Sequence, residues 1–235
     1  MIDVIATAAQ ATQYNFSGKV AIVIDILRAT TVMTIAIHNG AKSITAVRTP
    51  EEAFKIKEQS ADKPLLGGER NADKIEGFDL DNSPLKYTPE MVANRHIVMT
   101  TTNGTQAIAA CAKAEKVYIA SFLNINNIIT LINTATTDIA IVCAGTNGKF
   151  CIEDGLCAGL VVEHLYQCGH TEMSDFAHAM RMLYLSGNVR QIASVGEHYA
   201  RLNRKGYAAD IDVCLDTTHN YEALVCEGGK ITFQQ

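Results

Sequence analysis

The stretch VAIVIDILRATT, Val20 to Thr31, opens with five apolar residues and turns polar at Asp25, with Arg28, Thr30 and Thr31 close behind. A run of this length, rich in β-branched residues, suits a strand covered on both faces. An aspartate set against such a run is costly to bury unpaired, so Asp25 reads as the point where the strand ends and the chain emerges. The following residues, Ala29 to Ile37, are loaded with threonine, valine and isoleucine, which lowers helix propensity. They still read as a buried helix, because Asp25 and Arg28 interrupt the strand and Asn39-Gly40 supplies a stop.

The same unit recurs along the chain. Further strand-sized apolar runs are SITAV (43–47), PLLGG (64–68), HIVMT (96–100), KVYIA (116–120) and DIAIVCA (138–144). Between them lie helical candidates: Pro50 to Gln59 with proline in the first turn, Thr105 to Lys113, Asn124 to Asn133, and Glu153 to Tyr166. This alternation predicts an α/β fold with a largely parallel or mixed sheet flanked by helices. After about residue 170 the texture changes. Ser174 to Leu185 and Asn188 to Asn203 read as successive helices, and ALVCE and KITFQ flank Gly228-Gly229 as a β-hairpin. The expected organisation is an α/β catalytic core over 1–170, with a helical and hairpin extension over 171–235 packed on the same domain.

Composition narrows the function classes. Among the 235 residues, 48% are hydrophobic and 19% charged, ordinary globular usage that argues against disorder. A net charge of −5 gives no global field for nucleic acid. The N-terminus MIDVIATAAQ lacks a basic region followed by a long apolar segment, and no stretch nears the roughly 20 apolar residues a bilayer span needs. Neither a nucleic-acid nor a membrane partner is expected, and the compartment reads as cytoplasmic. The seven cysteines are odd in number, lie mostly in apolar surroundings and form no CxxC pair, which suits reduced thiols. His164, Cys168 and His170 imitate a zinc site but lack a fourth ligand.

In a parallel α/β sheet, ligands bind where the strands' carboxyl ends and their loops gather. Read to that end, the apolar runs empty into Asp25, Arg28, Thr30 and Thr31; Glu69 and Arg70; Thr100 to Gly104; Ser121 and Asn124; and Gly145 to Gly148. Small hydroxyls, amides, exposed main-chain N–H groups and arginines suit an oxyanion. Carboxylates in such a site would repel the anion unless a divalent cation stood between. Asp25, Glu69 and Asp154 form a hard-oxygen set suited to Mg²⁺. Anion donors and metal carboxylates together describe phosphoryl transfer or hydrolysis. Each element alone has a plainer reading: Thr, Asn and Gly end strands and cap helices, Arg28 could simply pair with Asp25, and Glu153 and Asp154 suit a helix start. The spacing of GTNGK (145–149) fails as a Walker loop, and no GxGxxG follows the first strand. The case rests on the coincidence of several clusters.

The same residues carry a resemblance. VIDILRATT (23–31), GGERNADKIEGFDLDNSP (67–84), TTTNGTQA (100–107), ASFLN (120–124) and CAGTNGKFCIEDGLCAG (143–159) resemble, in order, the 2-phosphosulfolactate phosphatase family of coenzyme M biosynthesis. GYAADIDVCLD (206–216) is similar but less diagnostic. The resemblance implies a Mg²⁺-dependent, cytoplasmic, homodimeric phosphatase converting (2R)-2-phospho-3-sulfolactate into 3-sulfolactate and phosphate. Its substrate is a small anion carrying phosphate, sulfonate and carboxylate. Carried over by position, the catalytic set is Asp25, Arg28, Glu69 and Asp154, with Asp25, Glu69 and Asp154 toward the metal. The substrate-binding set is Thr30, Arg70, Lys74, Thr102, Asn103, Gly104, Asn124, Thr146 and Asn147, with Arg70 and Lys74 toward sulfonate or carboxylate. Two mechanisms stay open, a metal-activated water and an aspartyl phosphate on Asp25; the lack of a second aspartate two residues on favours the first. A phosphatase of another small 2-phospho acid and a non-catalytic phosphate-ester binding module are the competing functions. Asp210 and Asp212 read either as a second acidic edge of the pocket or as a solvated turn, with the structural role favoured.

Overall fold

The computed structural model describes residues 1–234. Its strands are β1 (Ile2–Ile5), β2 (Lys19–Ile24), β3 (Ser43–Ala46), β4 (Leu65–Arg70), β5 (Asp73–Lys74), β6 (His96–Thr100), β7 (Lys116–Ala120), β8 (Asp138–Cys143), β9 (Leu224–Glu227) and β10 (Lys230–Phe233). The helices are α1 (Ala8–Ala11), α2 (Ala29–His38), α3 (Pro50–Gln59), α4 (Pro89–Val92), α5 (Gly104–Ala110), α6 (Ile125–Ile132), α7 (Ile152–Gln167), α8 (Asp175–Leu185), α9 (Val189–Ala193), α10 (Glu197–Arg204) and α11 (Ala208–Cys214). The α/β class is as expected from the sequence.

The strands form one mixed sheet in the order β1-β8-β2-β7-β9-β10-β3-β6-β4-β5. Strands β1, β8, β2 and β7 pair in parallel, as do β3, β6 and β4. The C-terminal hairpin β9-β10 joins these two blocks through antiparallel pairings to β7 and β3. Alternating residues of β2 face two different cores. Val20, Ile22 and Ile24 pack with α6 and α7, whereas Ala21 and Val23 pack with α2 and α5. A strand buried on both sides has no reason to alternate polar and apolar residues, which explains the unbroken apolar run.

Helix α2 forms despite its threonines. Eight of its ten residues are buried, and the Thr34 hydroxyl bonds back to the Thr30 carbonyl, so packing overrides local propensity. Thr49 caps α3 ahead of Pro50, and Ser174 and Asn188 cap α8 and α9. The helix expected over Asn188 to Asn203 is in fact two. The chain breaks between α9 and α10, and Gly196 takes the N-cap of the second. Strands β1 and β5 and helices α1, α4 and α11 are not announced by the sequence, being short or lacking a periodic apolar pattern. All seven cysteines are free, and no helix of the described residues is long and apolar enough to cross a membrane.

Counting pairings across the hairpin, the two parallel blocks run in opposite senses. Their carboxyl ends nevertheless meet at one place. The Asp25 carboxylate after β2 lies against Gly104 at the start of α5 after β6, and Glu69 at the end of β4 accepts the Thr102 N–H.

Candidate active site

Asp25 stands where β2 gives way to α2. Its Oδ1 accepts the Ala29 N–H at 3.3 Å, and Thr30 locks the turn by accepting the Asp25 N–H and donating to the Asp25 carbonyl. Oδ2 carries no hydrogen bond. It faces the start of α5, so closely that a Cβ on Gly104 would lie 2.7 Å from it. From the first turn of α7, Asp154 uses one oxygen on the Ile26 N–H (2.8 Å) and the other on the Gly145 N–H (3.0 Å), tying three segments together. Glu69, at the end of β4, is used likewise: its oxygens accept the N–H groups of Thr102 and Ala72, both at 2.7 Å.

Acids crowd this place. Burial first, then the charges of Asp154 and Glu69, push Asp25 well above the usual carboxylate range, with the Ala29 N–H and Arg28 pulling the other way. Burial and Glu153 raise Asp154 to about 8. Glu153 is raised to about 7, chiefly by burial with Asp25 adding. At 1% exposure, Glu153 has no partner for either carboxylate oxygen. Arg28 does not neutralise the group by direct pairing. Its guanidinium donates to Asp210 at 2.5 Å and to the Ala72 carbonyl at 3.2 Å, and it lies 4.1 Å over the Tyr207 ring.

Two spaces that share part of their lining open here, a smaller one that Asp25 lines, named the inner recess, and a larger one that it does not, named the outer cavity. The inner recess, about 30 Å³, is lined by Asp25, Arg28, Glu69, Asn82, Thr102 and Asn103 among others. The outer cavity, about 280 Å³, is lined by Lys149, Phe150, Ile152 and Glu153. Thr146, Asn147, His198 and Arg201 border both. Buried polar atoms with no partner collect here: Asn82 Oδ1, Thr102 Oγ1, both Glu153 oxygens, His198 Nδ1 and Arg201 Nε. Orphaned groups are costly unless something outside the protein satisfies them, so their concentration marks a ligand site.

The family model described as 2-phosphosulpholactate phosphatase matches residues 5–225. The chain belongs to the 2-phosphosulfolactate phosphatase family. That makes it, by class, a phosphoric monoester hydrolase. A "Probable 2-phosphosulfolactate phosphatase" of Clostridium perfringens (strain SM101 / Type A) is 40% identical over 230 residues, covering 96% of this chain and 92% of its own. One from Caldanaerobacter subterraneus subsp. tengcongensis is 45% identical over 204 residues, 86% of this chain and 85% of its own. A third, from Clostridium beijerinckii, is 36% identical over 234 residues, 98% of each chain.

Within this phosphatase fold, the expected site residues divide. Asp25, Arg28, Glu69, Thr102, Asn103, Thr146 and Asn147 line the recess, and Gly104 backs it. Asp154 stands one layer behind. Four others lie elsewhere. Thr30 is fully buried and serves the turn. Asn124 is also fully buried, its amide bridging Ser121, the Ile119 carbonyl and the Glu222 carbonyl. Arg70 spends its donors on the Glu69 and Arg48 carbonyls and on Thr100, and Lys74 is exposed on β5. As for the two C-terminal aspartates, Asp210 is buried between Arg28 and Ser83, while Asp212 pairs with Arg190 on the surface.

The sequence reading missed Asn82, His198 and Arg201 as lining residues. His198 and Arg201 stand three apart on α10, one face of a helix, which was the available signal. His198 donates Nε2–H to the Leu27 carbonyl at 2.7 Å, which leaves Nδ1 as a bare acceptor, and burial lowers its pKa.

Proposed function

We propose that this phosphatase hydrolyses 2-phospho-3-sulfolactate to 3-sulfolactate and inorganic phosphate, with Mg²⁺ as its cofactor, and works as a cytoplasmic homodimer. The observation that carries the reading is the collection of unpartnered buried polar groups around Asp25, in a chain whose relatives bear that activity in their names.

The fit to Mg²⁺ can be tested on the donor set. Three buried acids with raised pKa values, Asp25, Glu153 and Asp154, the second with no partner for either oxygen, suit a site that takes a counter-charge. Among the described residues, no three His, Cys, Asp or Glu side chains form a ready metal cage. Mg²⁺ does not ask for one, since it keeps several waters and takes one or two carboxylates plus substrate oxygens. Asp25, whose Oδ2 is unused, would hold it, with Glu69 as a second carboxylate on the recess wall; Asp154, expected from the sequence as a third ligand, stands one layer behind with both oxygens on main-chain N–H groups. When bound, it would offset carboxylate repulsion of the anion and make water a better nucleophile.

The remaining steps belong to the chain. Thr102 and Asn82 offer hydroxyl and amide groups to phosphoryl oxygens in the inner recess. Glu69 fixes the Thr102 main chain, and Asp154 fixes the turn that presents Asp25, so both position rather than react. The experiment is phosphate release from a panel of 2-phospho acids with Mg²⁺ and with a chelator. Metal-dependent release, greatest for the sulfonated acid, is expected; absence of it on every member would overturn the enzyme reading. Sedimentation velocity tests the dimer.

A further inference from the structure

We infer that Arg201, on α10 of the C-terminal segment, is the specificity residue of this site and holds the substrate's sulfonate at the border of the inner recess and the outer cavity. The inference rests on the substrate reading above. It begins with the cations near Asp25. Arg28 is committed to Asp210. Arg70 is turned onto main-chain carbonyls. Lys149 faces Glu197 across 3.7 Å at the outer rim. Arg201 borders both spaces, and among the described residues it makes no ion pair or hydrogen bond; its Nε is buried without a partner.

Size and chemistry assign the two ends. The recess of about 30 Å³, beside Asp25, has room for a small group such as the phosphoryl. The cavity of about 280 Å³ is larger and partly apolar, with Phe150 and Ile152 in its wall, and suits a tetrahedral sulfonate on its methylene stem. Glu153 sits in the same wall with neither oxygen paired, so an anion entering there is repelled from that side and driven toward Arg201. A sulfonate, unlike a carboxylate, stays ionised beside acidic neighbours. A guanidinium fork, with Lys149 as a second cation at the rim, matches its oxygens. His198, three residues before Arg201, brings its bare Nδ1 to the same border, where it can accept the proton of a bound water.

The test uses the whole chain with Arg201→Met and Arg201→Lys. Steady-state kinetics are measured on 2-phospho-3-sulfolactate and on 2-phospholactate, which lacks only the sulfonate. Binding of 3-sulfolactate and of lactate is measured by calorimetry at fixed salt. Arg201→Met should lower kcat/KM on the sulfonated substrate by about 10- to 100-fold, mostly through KM, the range for losing a hydrogen bond to a charged group. The effect on 2-phospholactate should stay within about 3-fold, and Arg201→Lys should recover part of the loss, having charge without the fork. Equal losses on both substrates, or none on the sulfonated one, overturn the inference while leaving the phosphatase reading standing. If the wild type hydrolyses neither acid, that reading fails. The inference then stands on an Arg201-dependent preference for 3-sulfolactate over lactate, and falls if the two bind alike.

Discussion

Gly104 has room for nothing beyond hydrogen. A Cβ there would meet Asp25 Oδ2 at 2.7 Å and the Ala29 Cβ at 2.8 Å, and neither neighbour sits at the end of a long flexible side chain. The start of α5 must therefore touch the end of β2 directly, which is how two loops almost eighty residues apart along the chain come to share one site. Gly104→Ala should cost about 1–3 kcal/mol, the usual range for overpacking, and lower kcat by pushing Asp25 from its place. Denaturant unfolding and steady-state rates check it; an unchanged midpoint with unchanged kcat would mean that the contact is not needed. The residue types at strand ends could be read in the sequence because burial forbids unpaired acids within a strand. Their division of labour could not. Thr30 and Asn124 belong to the same small polar class as Thr102 and Asn103, and only the fold shows that the first pair is spent on the main chain.

At the scale of elements, the C-terminal helices are fastened to the site through one buried pair. Arg28 at the start of α2 and Asp210 in α11 are 2% and 4% exposed, with Ser83 on the second Asp210 oxygen and Tyr207 beneath the guanidinium. Removing one partner strands the other in a low-dielectric place, whereas replacing both by apolar groups does not. Arg28→Met should therefore destabilise the protein by about 3–5 kcal/mol, and Arg28→Met with Asp210→Leu should regain much of that loss. Chemical denaturation of the two single variants and the double variant measures the coupling. Additive losses would contradict the pairing. The sequence showed Arg28 beside Asp25 and suggested those two as partners, because α11 has no apolar period to announce it as a helix. The hairpin was legible from Gly228-Gly229, but its place between β7 and β3 was not: turn residues specify a hairpin, not its neighbours.

The whole molecule brings together loops from two parallel blocks that the pairing pattern sets in opposite senses. The result is a buried acidic cluster with a consequence for stability. Unfolded carboxyls titrate near 4, whereas Glu153 and Asp154 titrate at about 7 and 8 in the fold and Asp25 well above its ordinary value. The native state thus keeps protons that the unfolded chain has released, and metal-free stability falls as pH rises from about 4 to about 8. His198, lowered by burial, works the other way below its ordinary pKa, one group against three. Melting temperatures in chelator should drop between pH 5.5 and 8, and Mg²⁺ should flatten the drop by binding the native state. A melting temperature that rises with pH in chelator would contradict this.

The most direct measurement of the central claim, that the converged loops make Asp25 the reacting centre of a metal-assisted phosphatase, is single-turnover hydrolysis of 2-phospho-3-sulfolactate by the wild type and by Asp25→Asn, each with Mg²⁺. Rapid phosphate release by the wild type is expected, with a loss of at least about a thousandfold in the variant at unimpaired melting temperature, the scale for removing a group used in the transition state. Phosphate release by Asp25→Asn within tenfold of the wild type would contradict the claim.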